Sequence, residues 1–333
     1  MQQLQITAIG EPADVLDLVE TPTPTPGSGQ VLVEVQAATI NASDFLYISG
    51  QYFTTPQPAA VAGAEGVGRV TAVGPGVDQT LIGATVVLLP TYRHGTWATH
   101  VVADSADIVA VPDGIDTLQL AMVGINPMTA LLLLRNFGDP ARPGRWIGQT
   151  AGNSAVGEYL IKLARRFGWK TVSIVRREAA AEMVRSWGAD RVVIDDGNLK
   201  SQLAQALGGA ELDLVVDSIG GSPTRELVHH LRFGGTLVTY AVLSGNTDSA
   251  DILDLIGRHV NWTGFWEINW LRRTEPAIVQ DAYHDVVDLV ADGTLSSRID
   301  RTMPLEDWRE AIRLAQDNAR RQGKVLFEID HRG

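Results

Sequence analysis

The chain has 333 residues, no cysteine, seven histidines, 45% hydrophobic residues and a net charge of −12. That length suits two domains with real cores, and the missing cysteines exclude disulfides, cysteine nucleophiles and thiolate-bound zinc. The acidic balance repels a phosphate backbone, so no nucleic-acid partner is expected; no apolar run reaches the ~20 residues that span a bilayer, so no membrane partner is expected either.

The first residues, MQQLQ, lack the basic start and apolar core of a secretory leader, and the expected compartment is cytoplasmic. Prolines alternating over 21–26 (TPTPTP) predict a short extended connector, because each proline disfavours helix at the residue before it. From residue 30 to about 111, short β-branched runs are punctuated by Gly and Pro; 31–35, 67–73 and 84–89 are the clearest strands. This is the texture of a β-rich, barrel-like domain. From about 118 it changes to alternating helices and strands. The reading predicts helix over 119–137 and strands over 145–148, 170–176, 191–194, 214–217 and 236–240, which together make an open, mostly parallel sheet. Helices are expected over 277–292 and 305–322, and a closing strand over 324–329. His229 and His230 fall in a helix-like segment.

The most informative stretch is 149–157 (QTAGNSAVG). A strand precedes it; a helix follows, with Leu160, Ile161, Leu163, Ala164 and Phe167 at helical spacing; then comes a second strand. Strand, small-residue turn, helix, strand is the βαβ unit of a dinucleotide-binding fold. Small residues at Gly152, Ala155 and Gly157 let backbone N–H groups at the helix start approach a pyrophosphate, where the helix dipole favours negative charge. The alternative is a turn that needs small residues only for packing. The second strand ends in Arg176 and Arg177. A carboxylate there would favour a bare ribose, whereas guanidinium groups pair with a 2′-phosphate, so the expected cofactor is NADPH. The competing reading leaves both arginines solvated, with Glu178 neutralising one.

With these pieces in place the chain resembles the zinc-independent medium-chain dehydrogenase/reductase superfamily over nearly its whole length. The motifs are 41–44 (NASD), 63–68 (GAEGVG), the cofactor turn and 323–325 (GKV). Zinc alcohol dehydrogenases of this superfamily carry a histidine ligand where this chain has Ala64, so the resemblance implies no metal. Within the superfamily the chain is most similar to mitochondrial-type enoyl thioester reductases through 126–130 (NPMTA), 151–157 (AGNSAVG), 235–240 (GTLVTY) and 264–270 (GFWEINW), with quinone oxidoreductases next. The resemblance implies an α/β fold: a Rossmann-type doubly wound parallel sheet plus a β-rich GroES-like catalytic domain. Its implied boundaries are 1–120 catalytic, 121–264 NADP-binding and 265–333 returning to the catalytic domain.

The family's catalytic tyrosine falls on Tyr52. Its cofactor contacts fall on Asn41, Asn126, Thr129, Asn153, Ser154, Ala155, Val156, Gly157, Arg176, Arg177, Tyr240, Ala241, Val242, Leu243, Phe265, Trp266 and Lys324. The chain departs from the family at Phe53, where the family has proline, and at Glu178, where it carries a second phosphate-binding arginine.

The implied activity is NADPH-dependent reduction of a C=C bond conjugated to a carbonyl, with a small molecule or acyl thioester as substrate. A phenol at Tyr52 is neutral at pH 7 and can hydrogen-bond the enolate oxygen that develops. Trp266 and Trp270 either wall an acyl channel or pack the interior. His94 and His100 flank Trp97, but seven histidines without cysteine make a metal site there a weak reading. The alternatives are a quinone or enone/enal reductase, and a protein that binds NADPH without turnover. A homodimer is expected, paired through the strand over 236–240 or its successor.

Overall fold

A computed structural model describes residues 1–139, 142–317 and 322–329. The chain divides into two compact units, Met1–Ile125 with the chain from Leu271 onward, and Asn126–Trp270.

The first unit begins with β1 (Gln2–Ile6), α1 (Pro12–Val15), β2 (Leu16–Glu20), β3 (Gln30–Thr39), α2 (Ala42–Ile48), β4 (Gly66–Val73), β5 (Thr85–Leu88), β6 (His100–Asp104), β7 (Ile108–Val111) and α3 (Thr117–Leu120). The second unit holds α4 (Asn126–Phe137), β8 (Trp146–Gln149), α5 (Ala155–Arg166), β9 (Lys170–Val175), α6 (Glu178–Ser186), β10 (Arg191–Ile194), α7 (Leu199–Leu207), β11 (Leu212–Asp217), α8 (Ser222–Val228), β12 (Leu231–Thr239), α9 (Ile252–Gly257), β13 (Asn261–Gly264) and the start of α10 (Glu267–Arg273). The chain then adds α11 (Pro276–Ala291), β14 (Ile299–Met303), α12 (Trp308–Gln316) and β15 (Lys324–Glu328) to the first unit.

Seven strands form the main sheet of the first unit, in the order β14-β15-β3-β4-β5-β7 with β6 also on β3. Alternation makes β3 a central strand: Val31, Val33 and Val35 are fully buried on one face. They join Leu4, Ile6, Trp97, Trp308, Val325 and Phe327 in one core. The last strand therefore sits inside this sheet, antiparallel to β3, with Phe327 opposite Ala38.

The second unit is a six-stranded parallel sheet in the order β10-β9-β8-β11-β12-β13. Numbered from its own first strand, this is the 3-2-1-4-5-6 order of doubly wound dinucleotide folds. Its inner strands are buried on both faces, which explains their near-continuous apolar runs: Val172, Ile174 and Val175 in β9, and Leu214, Val215 and Val216 in β11.

Two expectations need correction. The helix expected over 119–137 is two helices separated by residues 121–125. Pro127 has no N–H to give and tolerates only a first helical turn, where α4 places it. His229 and His230 lie just beyond α8, not inside it. Of the two strands named for pairing, the one over 236–240 is interior, while its successor β13 forms the sheet edge. The helix expected to reach 322 is α12, and residues 318–321 lie outside the described residues.

Candidate functional site

The candidate residues occur in both units, and each set has its own local construction. In the second unit the turn after β8 carries the cofactor motif. Ala151 adopts φ +46°, a conformation that costs a side-chain-bearing residue energy. Gly152 is packed so closely on β9 that a Cβ would stand 2.6 Å from Ser173 Cβ, and one on Gly157 would stand 2.6 Å from the Gly152 carbonyl oxygen. Only small residues allow this approach of helix to turn. Ser154 caps α5, its Oγ accepting from the Gly157 N–H at 3.0 Å. Asn153, Ser154, Ala155, Val156 and Gly157 thus sit at the positive end of a twelve-residue helix, a donor set that fits a pyrophosphate.

Arg176 and Arg177 follow β9, and both are exposed. Glu178 does not neutralise either: its carboxylate accepts from Arg185 Nη1 at 2.7 Å. Among the described residues neither Arg176 nor Arg177 has an ion-pair partner, so the residues present fit a 2′-phosphate.

Tyr240 follows β12, its N–H bonded to the Asp217 carbonyl at 2.9 Å. Burial raises its phenol above the ordinary value, against the Ser218 and Ser154 hydroxyls. Ala241 is half-buried, and Val242 and Leu243 are exposed. Asn126 opens α4; Thr129, one turn on, gives its hydroxyl proton to buried Glu267 at 3.0 Å. Phe265 is held by its N–H to the Thr239 carbonyl, with its ring edge-on to Phe137 at 6.0 Å. Trp266 and Trp270 are half-buried.

In the first unit, Asn41, Asp44, Glu65 and Lys324 form a buried polar cluster. Asn41 Nδ2 donates to Glu65 Oε1 at 2.7 Å, while Lys324 Nζ donates to Asn41 Oδ1. Glu65 Oε2 accepts from the Ile125 N–H at 2.8 Å. Asp44 Oδ2 accepts from the Asn41 N–H at 2.7 Å, the returning arm of a capping box on α2. Sequence reasoning placed Asn41 and Lys324 near the cofactor but missed both acids; the NASD spacing was the available signal.

Burial pushes both carboxyls up to about 7. For Glu65 the Lys324 charge and the Asn41 amide oppose it; for Asp44 the Asn41 N–H opposes it and Glu65 adds to it. The folded state therefore holds these protons more tightly than the unfolded chain, whose carboxyls titrate near 4. Their contribution to stability is fully present below that value and is lost as pH rises through about 7. We expect the urea midpoint to fall between pH 5 and pH 8, and to fall less in Asp44→Asn. Identical pH slopes for the two proteins would rule this out.

The donor set around Glu65 does not suit a metal ion. Both its oxygens already accept hydrogen bonds, and its neighbour is the methyl of Ala64, fully buried. Nor do His94 and His100 converge: His94 is buried with Nδ1 3.8 Å from Asp107, and His100 lies 3.8 Å from Glu34.

Tyr52 follows α2, half-buried, with its ring 5.6 Å from Tyr92 and 5.5 Å from Phe53. Phe53 is 75% exposed, so it leaves the Tyr52 ring in the cluster while projecting outward itself.

The chain is similar to known proteins along most of its length. Residues 27–113 match the alcohol dehydrogenase GroES-like domain, and residues 155–291 match the zinc-binding dehydrogenase family. A mitochondrial enoyl-[acyl-carrier-protein] reductase from Xenopus tropicalis is 34% identical over 315 residues, covering 92% of this chain and 89% of the relative. A crystal structure described as an NADPH:quinone reductase from Bacillus thuringiensis superposes with a TM-score of 0.90 at 26% identity, over 98% of each chain. The Etr1p complex with NADP and crotonyl-CoA shares the fold, with a TM-score of 0.84 at 24% identity over 98% of this chain and 99% of that one. The cytoplasmic expectation is corrected here. The curated relatives are mitochondrial by name, which overturns it. An acidic, cysteine-free surface suits either compartment, so composition held no information on the choice.

Proposed function

Because this chain belongs to the medium-chain dehydrogenase/reductase superfamily, alongside the enoyl-[acyl-carrier-protein] reductases, we propose that it is a zinc-independent reductase that uses NADPH to reduce the C=C bond of a 2-enoyl thioester. The observation that carries the cofactor choice is the exposed Arg176–Arg177 pair without a carboxylate partner. When bound, NADPH supplies the hydride that adds at Cβ.

The chain's own residues do the rest. Arg176 and Arg177 hold the 2′-phosphate as charge-assisted donors. Residues 153–157 hold the pyrophosphate at the α5 N-terminus. Asn41, Asn126, Thr129, Tyr240, Ala241, Val242, Leu243, Phe265, Trp266 and Lys324 complete the cofactor site. Lys324 is oriented by Asn41, and Asn41 in turn by Glu65. Tyr52 is the catalytic phenol: its O–H hydrogen-bonds the thioester oxygen as enolate charge develops and can protonate Cα. Trp266 and Trp270 wall the acyl site. The domain reading follows: 1–120 and 265–333 for catalysis, 121–264 for NADPH. The protein acts as a homodimer joined through β13.

A second reading, NADPH:quinone reductase, is favoured by the Bacillus likeness. Steady-state NADPH oxidation with crotonyl-CoA and with 1,4-benzoquinone, in wild type and Tyr52→Phe, separates the two. We expect thioester reduction, reduced at least about tenfold by Tyr52→Phe. Quinone turnover alone, indifferent to Tyr52, would move the protein to the second reading. Binding of NADPH with neither activity would leave a cofactor-binding protein without turnover.

A further inference from the structure

The parallel sheet carries a buried acid that the reading above does not use. Asp217 closes β11 and is fully buried. Among the described residues no cationic side chain pairs with it, and a bare carboxylate inside a protein is unfavourable unless donors surround it. Here four donors converge on one oxygen. Asp217 Oδ1 accepts from the Thr150 hydroxyl at 2.9 Å, from the Thr224 hydroxyl at 2.6 Å, and from the N–H groups of Ile219 and Gly220 at 3.0 Å each. Hydrogen bonds to a charged acceptor are the strong ones. Oδ2 lies 3.5 Å from the Thr239 hydroxyl, at the end of β12.

These partners come from three strand ends. Thr150 follows β8 and opens the turn that carries residues 151–157. Its hydroxyl donates to Asp217 and accepts the Ser218 N–H at 2.9 Å, while its own N–H reaches the Val216 carbonyl at 3.2 Å. Ile219 and Gly220 belong to the loop after β11. The Asp217 carbonyl accepts from the Tyr240 N–H after β12. The loop over 218–221 then holds the next segment: the Ser218 and Ile219 carbonyls accept from the N–H groups of Leu243 and Ser244 at 2.9 and 3.1 Å. That loop has no slack, since Gly220 has φ +78° and a Cβ on it would stand 2.1 Å from the Asn246 carbonyl oxygen. Strands β8 and β11 are neighbours without being consecutive, so the strand order reverses between them. Open α/β sheets bind their ligands at such a reversal.

We propose that Asp217 is a positioning residue for the cofactor, locking the turn over 150–157 to the segment over 240–243. The proposal rests on the reading of those two segments as part of the NADPH site. No proton or electron passes through Asp217. Its effect is order imposed before the cofactor arrives, which removes the entropy cost of arranging both segments on binding. NADPH should therefore depend on Asp217, whereas a ligand that spans neither segment should not. Adenosine 2′-monophosphate is such a ligand: it has the 2′-phosphate assigned to Arg176 and Arg177, but neither pyrophosphate nor nicotinamide.

The test compares the dissociation constants of NADPH and adenosine 2′-monophosphate, by calorimetry, in wild type, Asp217→Ala, Asp217→Asn and Thr150→Val. We expect Asp217→Ala to weaken NADPH about 30-fold and Thr150→Val about fivefold or more, with adenosine 2′-monophosphate within about twofold in both. Asparagine keeps an oxygen in the same place for the same donors, so Asp217→Asn should hold NADPH within about fivefold of wild type. Alanine at 217 leaves four buried donors unpaired, and the protein may be lost with it; Thr150→Val keeps the side-chain shape and removes only the hydroxyl that joins Asp217 to the turn. Equal losses for the two ligands would make Asp217 a folding residue alone and overturn the proposal. Unchanged NADPH affinity in Thr150→Val would overturn it as well. Failure of adenosine 2′-monophosphate to compete with NADPH in wild type overturns instead the arginine assignment on which the NADPH site stands.

Discussion

Replacing Arg176 and Arg177 together by alanine weakens NADPH binding by about 100-fold and leaves NADH within about twofold. The two cofactors differ only in the 2′-phosphate, so the ratio of their dissociation constants isolates that contact. Both guanidinium groups follow β9, both are exposed, and Glu178 is engaged by Arg185. They are therefore available to a dianionic phosphate without first giving up another partner. Exposure also means screening: the difference between wild type and variant should shrink as ionic strength rises from about 0.05 to 0.5 M. Titration of cofactor fluorescence measures all of this without a turnover assay. An equal loss for NADH and NADPH would mean that the arginines support the turn and not the phosphate, and the cofactor assignment would lose its main support. Glu178→Ala is the informative control, since removing the carboxylate frees Arg185 without touching the proposed pair.

Charges placed on the apolar helix beside the edge of the parallel sheet should produce a monomer. Among the described residues β13 pairs only with β12, which leaves its other side open, and an unprotected edge invites pairing with another chain. The helix before it, α9, exposes Ile252, Leu253 and Ile256 at 62%, 71% and 69%, and β13 itself exposes Trp262 at 43%. So many large apolar side chains beside one open edge mark an association surface. A two-fold axis beside β13 would pair it with its own copy and cover α9 at the same time, since such an interface uses one patch twice. Burying each large aliphatic chain is worth roughly 1.5–3 kcal/mol, so Leu253→Glu with Ile256→Lys should raise the dimer dissociation constant more than about 100-fold. Sedimentation of wild type and variant at micromolar concentration decides the matter. A monomeric wild type, or a variant that remains dimeric, would remove β13 from the assembly.

The fold class was legible because its signals are local. Valines at alternate positions in 31–35 and the run of 172–175, apolar except for Ser173, each state how many faces of a strand are covered. The break between α3 and α4 was legible too, in Pro127, but a helical period over 119–137 outweighed it. What could not be read was any group whose partner is distant in the chain. Glu65 meets Asn41 across 24 residues, and Lys324 meets Asn41 across 283. No window of sequence contains such a cluster, so two carboxyls near 7 came only from the fold. The place of the arginines was legible for the opposite reason: they stand directly after a strand of a βαβ unit, inside one local window of sequence. Asp217 gave no signal, because an acid that ends a strand looks in sequence like any other loop carboxylate.

The position of β15 orders events during synthesis. This strand follows every strand of the parallel sheet in sequence, yet it lies between β14 and β3, inside the first unit's sheet. A ribosome therefore delivers every strand of the parallel sheet before the earlier sheet can close, and the residues of β3 that receive β15, Ala37, Ala38 and Thr39, wait without their neighbour until β15 emerges. The buried ammonium arrives with that same strand. Until it does, Asn41, Asp44 and Glu65 have no cation to gather around, so the oldest acids of the cluster are the last to find their setting.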